Sequence, residues 1–156
     1  SGGLVGSEMC IRDRYELQNS GRESASNIAE KIDVSVPTIT ERIRKLQELG
    51  VITGFQAVVD PSAIGLDVMA IITIISGSSQ HYKDVTIAAD DTPEIIQCFS
   101  TTGSGSHTLL VATKNSNTLE ELLRKIQSWP GVIRTETQLV LSSYKMGTVL
   151  PISEIN

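Results

Sequence analysis

Cysteine is scarce here: Cys10 and Cys98 are the two in 156 residues, and they fall at no metal-ligand spacing. Cys98 lies in a strand-like run and reads as a small buried hydrophobe. Histidine is equally sparse, and neither His81 nor His107 has a second ligand at metal spacing. No metal or cofactor is expected. No apolar run reaches the ~18 residues that a membrane span needs. The opening residues lack a basic stretch followed by an apolar core, so no export signal is visible. These absences fit a reducing cytoplasm. The glycine-rich segment TTGSGSHT (101–108) is not followed by Gly-Lys-Ser/Thr, which excludes a Walker loop. An enzyme would need a catalytic nucleophile and a base. Ser104, Ser106 and His107 lie close in sequence and Asp90 and Asp91 are available. Adjacent strand residues point to opposite faces, however, so Ser106 and His107 should not meet. His81 is expected on a solvated helix face, and His107 in a strand or subunit contact. An enzyme is not expected.

The net charge of −5 argues at first against nucleic acid. Its distribution weakens that objection. From Arg14 to Thr53 the cations Arg14, Arg22, Lys31, Arg42, Arg44 and Lys45 balance the acids, and most of the excess negative charge lies after Gly54. Specific DNA binding needs a few well-placed cations on one face, while the rest of the chain can be acidic.

What is present is a pair of short helices with a tight turn. Ser24 can cap a first helix whose apolar stripe is Ala25, Ile28, Ala29 and Ile32. Asp33 and Val34 form the turn, and Ser35 caps a second helix that tolerates Pro37 in its first turn. That helix buries Ile39, Ile43, Leu46 and Leu49 and stops at Gly50. Its other side carries Thr38, Glu41, Arg42 and Lys45, with Thr40 and Arg44 beside them and Val36 and Pro37 at its start. Such hydroxyls and cations read base edges and phosphates from a helix in the major groove. A plain helical hairpin within some enzyme shares the same periodicity.

The whole segment S-x-x-N-I-A-x-K-I-x-V-S-x-P-T-I-T-x-R-I-R-K-L-x-E-L-G-V-I resembles the DNA-binding half of the Lrp/AsnC (feast/famine) transcription regulators. Gly54-Phe55-Gln56-Ala57 and Asp60-Pro61 match the family's hinge, and the resemblance continues to Pro151. It departs at the start, where the family has an L-D-x-x-D-x-x-I-L-x-x-L-Q helix. Only Leu17-Gln18 of that run is retained. Residues 1–15 are therefore expected to be a non-native or disordered lead, and VGSEMCIRDR looks like translated sequencing-adapter sequence. The competing reading makes Met9, Ile11 and Leu17 a short substitute helix. Each large core side chain lost with such a helix typically costs about 2–5 kcal/mol.

After Gly65 the period changes. Leu66–Ser76 is β-rich, and Ser79–Asp91 reads as a helix with Tyr82, Val85 and Ala89 on one side. Glu94–Thr101 and His107–Thr113 read as strands. Asn117 is expected to cap a further helix, with Glu120 completing a capping box and Leu119, Leu122, Leu123, Ile126 and Trp129 as its stripe. Val132–Ser142 is the last strand. The order βαββαβ is that of a ferredoxin-like, ACT-like sandwich. Apolar residues on both faces of Val68–Ile75 and Leu109–Ala112 predict a second cover for the sheet, most simply another subunit.

Thr102, Gly103, Ser104, Gly105 and Ser106 occupy the place where the family carries a T-G-D-Y-D-like loop that holds an amino-acid effector. Thr135 and Thr137 match a T-x-T pair able to line the same pocket. A plain hairpin turn and ordinary strand threonines remain open readings of the same residues. With no acidic residue in the loop, a small or neutral amino acid is expected rather than lysine or arginine.

The expected protein is thus α+β. A winged-type helix-turn-helix spans 16–54, a hinge spans 55–65, and an effector-sensing and dimerisation domain spans 66–156. The resemblance implies a transcriptional regulator that binds double-stranded DNA and a small-molecule effector, acting as a homodimer or a higher homo-oligomer such as an octamer. The alternative is a metabolite-binding or assembly module that has lost DNA binding with its first helix.

Overall fold

The computed structural model describes residues 25–147 and 149–151. Expectations for the lead, for Leu17-Gln18 and for the Ser24 cap lie outside them. The chain divides into two compact units, one containing the residues up to Val58 and from Lys145 onward, the other Val59–Tyr144.

In the first unit α1 (Ala25–Ile32) and α2 (Val36–Glu48) pack on one another through Ile28, Ala29, Ile32 and Ile39, with Ala25, Val34, Ile43 and Ile52 at the margin. Asp33, at φ 57°, makes the turn between them. The Ser35 Oγ accepts from the Thr38 amide at 3.3 Å, which satisfies one of the donors left open at a helix start. Gly50, at φ 73°, ends α2: its N–H reaches the Gln47 carbonyl and that of Val51 reaches Leu46, the paired bonds of a Schellman end. Leu46 is fully buried, but Leu49 is 56% exposed. The expected stripe therefore ends one turn early, because Leu49 is the cap residue and leaves the helical face. No strand follows α2 within this unit among the described residues.

The second unit is the expected sandwich. A four-stranded antiparallel sheet, in the order β2-β3-β1-β4, comprises β1 (Val68–Ser76), β2 (Ile95–Ser100), β3 (His107–Thr113) and β4 (Val132–Leu139). Helices α3 (Tyr82–Asp90) and α4 (Ser116–Gln127) complete it. The core lies between helices and sheet. Ala70, Ile72 and Ile74 of β1 and Leu109 and Val111 of β3 meet Val85 and Ala89 of α3 and Leu119, Leu122 and Ile126 of α4, with Trp129 just beyond α4. Fully burying each of the larger aliphatic side chains is worth about 1.5–3 kcal/mol. Cys98 is half-buried against this core, and burial pushes its thiol pKa up. One cap differs from expectation. Asn115, not Asn117, starts α4, and it closes a capping box with Thr118 rather than Glu120.

Register assigns the sheet's two faces. Ile72 stands opposite Leu109 and Thr137, and Ile74 opposite His107 and Thr135, so these residues share the helix-covered face. Ile71 stands opposite Leu110 and Gln138, and Thr73 opposite Thr108 and Glu136, on the other face. There Met69, Ile71, Ile75 and Leu110 are half-buried and Phe99 is 52% exposed.

Candidate functional site

The first candidate surface is α2. Ile39 and Leu46 fix its inner side, which turns Pro37, Thr40, Glu41 and Arg44 outward. Val36 is also exposed, at 42%, while Thr38, Arg42 and Lys45 are half-buried. Two hydroxyls are engaged locally. Thr38 Oγ1 lies 2.6 Å from Ser35 Oγ, and Thr40 Oγ1 donates back to the Val36 carbonyl at 3.1 Å. The charged stripe is interlocked as well. Arg44 donates from Nε to Glu41 Oε2 at 2.9 Å and from Nη2 to Glu41 Oε1 at 2.6 Å, while its Nη1 donates to Glu48 Oε1. Lys45 Nζ stands 3.8 Å from the same Glu41 oxygen. The bond from Arg44 holds the Glu41 carboxyl below the usual carboxylate range, and Glu41 in turn raises the Arg44 guanidinium further above its already high value. Glu48 is not among the residues that the sequence suggests for this surface. Its i+4 spacing from Arg44 is the signal that marks it.

The second candidate is the loop from Thr101 to Ser106, a hairpin turn closed by the Thr101 amide on the Ser106 carbonyl at 3.0 Å. Its two glycines have different reasons. Gly103 is at φ 106° with open space around it, so it supplies a backbone conformation that other residues resist. At Gly105 a Cβ would come within 2.3 Å of Thr73 Cγ2 and 3.0 Å of the Ile74 carbonyl, so here glycine permits close approach to β1. The Ser106 amide then donates to the Ile74 carbonyl at 2.8 Å. Thr102, Gly103 and Ser104 are exposed at the tip.

Ser106 and His107 do meet, contrary to the expectation from alternation. Ser106 Oγ lies 2.7 Å from His107 Nδ1 and 2.8 Å from Ser76 Oγ. Ser106 precedes the first residue of β3, so strand alternation does not govern it. His107 is 1% exposed, with the Tyr82 ring edge-on at 5.0 Å. Burial lowers its pKa. Among the described residues the imidazole is held by a hydroxyl and an aromatic edge, and the pair anchors the loop base on the helix-covered side of the sheet. His81 lies on α3's approach, 2.9 Å from Asp84.

Thr135 and Thr137 belong to the helix-covered face, and Gln127 Nε2 of α4 donates to Thr135 Oγ1 at 3.1 Å. Gly105 meets β1 at Thr73, on the opposite face. The loop and Thr135 thus share one end of the sheet, both beside Ile74, while Thr137 sits two residues further along β4. Among the described residues no group of three or more His, Cys, Asp or Glu side chains could hold a metal ion, and no helix is long and apolar enough to cross a membrane.

Known proteins share both units. Residues 15–53 match the winged helix-turn-helix DNA-binding family, and residues 67–150 match the Lrp/AsnC ligand binding domain. The chain is 39% identical over 136 residues to the HTH-type transcriptional regulator FL11 of Pyrococcus horikoshii, covering 87% of this chain and 89% of that one. The solved structure of Escherichia coli AsnC is 30% identical, with a TM-score of 0.81 and coverage of 90% and 95%. A feast or famine regulatory protein from Mycobacterium tuberculosis, solved in complex with L-methionine, is 27% identical, with a TM-score of 0.84 and coverage of 89% and 94%. The chain belongs to the Lrp/AsnC family of transcriptional regulators.

Proposed function

We propose that α2 reads double-stranded DNA in the major groove through Val36, Pro37, Thr38, Thr40, Glu41, Arg42, Arg44 and Lys45. The second unit binds a small or neutral amino acid at Thr102, Gly103, Ser104, Gly105, Ser106, Thr135 and Thr137. The chain acts by binding rather than catalysis, as a cytoplasmic homodimer or higher homo-oligomer. Residues 16–54 carry the DNA-binding role and 66–156 the sensing and assembly role, joined by the hinge at 55–65. The observation that carries the reading is a polar, cation-bearing helix face on an Ile28–Ile39 core, in one chain with a glycine-built loop pinned to a sheet. The L-methionine held by the Mycobacterium tuberculosis relative supports an amino-acid effector.

The mechanism is linkage. An effector bound in one assembly state shifts the population of that state, and with it the spacing of the reading helices. Loop amides would take the carboxylate, since convergent backbone N–H groups favour an anion.

The test measures duplex binding by the full chain across a salt series, with and without each of the twenty amino acids. Arg44→Ala and Lys45→Ala should each weaken binding. A variant that leaves one phosphate without its cation should also reduce the salt slope by about one. At least one small or neutral amino acid should change affinity and release or absorb heat in calorimetry. Unchanged affinity and slope in both variants would remove α2 from the interface. Twenty silent amino acids would leave the loop a plain turn.

A further inference from the structure

The charged cluster on α2 divides its labour in a way the DNA-binding reading alone does not require. We infer, resting on that reading, that Glu41 and Glu48 are positioning residues that hold Arg44 for a guanine base edge, making Arg44 a base reader rather than a phosphate anchor.

A guanidinium carries five N–H donors in one plane. Glu41 occupies the side of that plane nearest the stem, accepting from Nε and Nη2 with both oxygens, and Glu48 accepts from Nη1. One donor remains on each terminal nitrogen. A parallel pair of N–H groups on two guanidinium nitrogens is what guanine O6 and N7 accept together in the major groove. All three side chains stay accessible, with Arg44 51%, Glu41 49% and Glu48 60% exposed, so a base edge can reach the remaining donors.

Charge supports the same division. Arg44 with its two carboxylates sums to one negative charge, and adding Lys45 brings the cluster to zero. A phosphate carrying a full negative charge gains little from such a group and is repelled by the nearby carboxylates. A guanine edge offers two acceptors without a net charge, so it avoids that repulsion. Holding the guanidinium by three bonds on its own helix also removes rotamer freedom before DNA arrives, which leaves less to be lost on binding. The carboxylates therefore act through Arg44 in two ways: they aim it and they lower its attraction for any duplex whatever the sequence.

The experiment uses the full chain. Duplexes selected from a random pool give a bound sequence, and each base pair is then substituted in turn at several salt concentrations. Wild type should prefer guanine at one position by about tenfold, the scale of one bidentate contact. Glu41→Gln with Glu48→Gln should lose most of that preference, bind unrelated duplex more tightly and gain about one in salt slope, as the freed Arg44 turns to phosphate. Arg44→Ala should lose the same guanine preference, since it removes every donor to O6 and N7. Helix content by circular dichroism should not move, since glutamine favours helix about as well as glutamate. Retained guanine preference and an unchanged slope in the double variant would overturn the inference while leaving DNA binding in place. A uniform loss of affinity for all sequences would also overturn it. Recovery of no duplex by wild type would overturn the DNA-binding reading and this inference with it.

Discussion

His107 makes a measurable commitment at the scale of a single residue. Its ring is buried between the Ser106 hydroxyl and the edge of Tyr82, while its register neighbours Ile74 and Ser100 hold it on the helix side of the sheet. Burial disfavours the charged imidazole, so the folded protein holds this proton less tightly than the unfolded chain does. The unfolded chain then binds more protons as pH falls through about 6.5, the ordinary histidine value, and stability must drop from there toward the lower folded pKa. Above that window the contribution is fully present. Among the described residues, ionisable groups at this end of the sheet include Tyr82 itself, the His81–Asp84 pair at the start of α3 and, across β1 on the other face, the Arg134–Glu136 pair of β4. Urea unfolding followed between pH 7.5 and 5 should show this fall in wild type and a flatter profile in His107→Gln. An equal fall in both would assign the effect elsewhere. This site is not legible in the sequence, because treating Ser106 as a strand residue sends its side chain to the wrong face. Only the pairing of β3 with β1 shows that Ser106 meets Ser76, thirty residues away.

Elements are more legible in the sequence than their ends. The 3.6 period of Leu119, Leu122 and Ile126 identifies α4 and its buried face, but the run Asn115-Ser116-Asn117-Thr118 offers four residues able to cap it. Geometry chooses Asn115, whose Oδ1 accepts from the Thr118 amide at 2.9 Å while its own amide donates to Thr118 Oγ1 at 3.1 Å. Asn115→Ala should therefore cost about 1 kcal/mol, the usual value of an N-cap, and Asn117→Ala much less. On a unit of this size a destabilisation of about 1 kcal/mol moves Tm by about 4–8 °C. Equal shifts in the two variants by differential scanning calorimetry would refute the assignment. The same logic explains Leu49, whose spacing fits the α2 stripe although it lies past the last helical residue. Periodicity describes a face without saying where the chain leaves it. For α2, however, the cap, the turn and the final glycine are all readable, since Ser35, Asp33 and Gly50 each have a local chemical reason.

Across the whole molecule, the pattern of apolar residues on both faces of β1 and β3 is visible in the sequence, while the assignment of residues to each face needs the register. Helices cover one side. The other presents Met69, Ile71, Ile75 and Leu110 at its centre, with Arg134, Glu136 and Gln138 along β4. An apolar centre bounded by polar side chains is the make-up of a subunit interface, and two sheets packed face to face bury such surfaces about 10 Å apart. Stable interfaces of standard size remove roughly 800 Å² from each partner, a demand that a four-stranded sheet can meet. Ile71 and Leu110 stand directly opposite one another, so Ile71→Glu puts a carboxylate at the middle of the patch, where two copies would bring like charges together. In a single subunit the same side chain lies on the face away from the core and should leave the fold intact. Sedimentation of the full chain at micromolar concentration should give a dimer or larger assembly for wild type and a smaller species for Ile71→Glu, with unchanged circular dichroism. Because the proposed effector acts by shifting the assembly state, any amino-acid response of DNA binding should disappear with the assembly. An Ile71→Glu protein that still sediments as wild type would move the interface off the open face of the sheet.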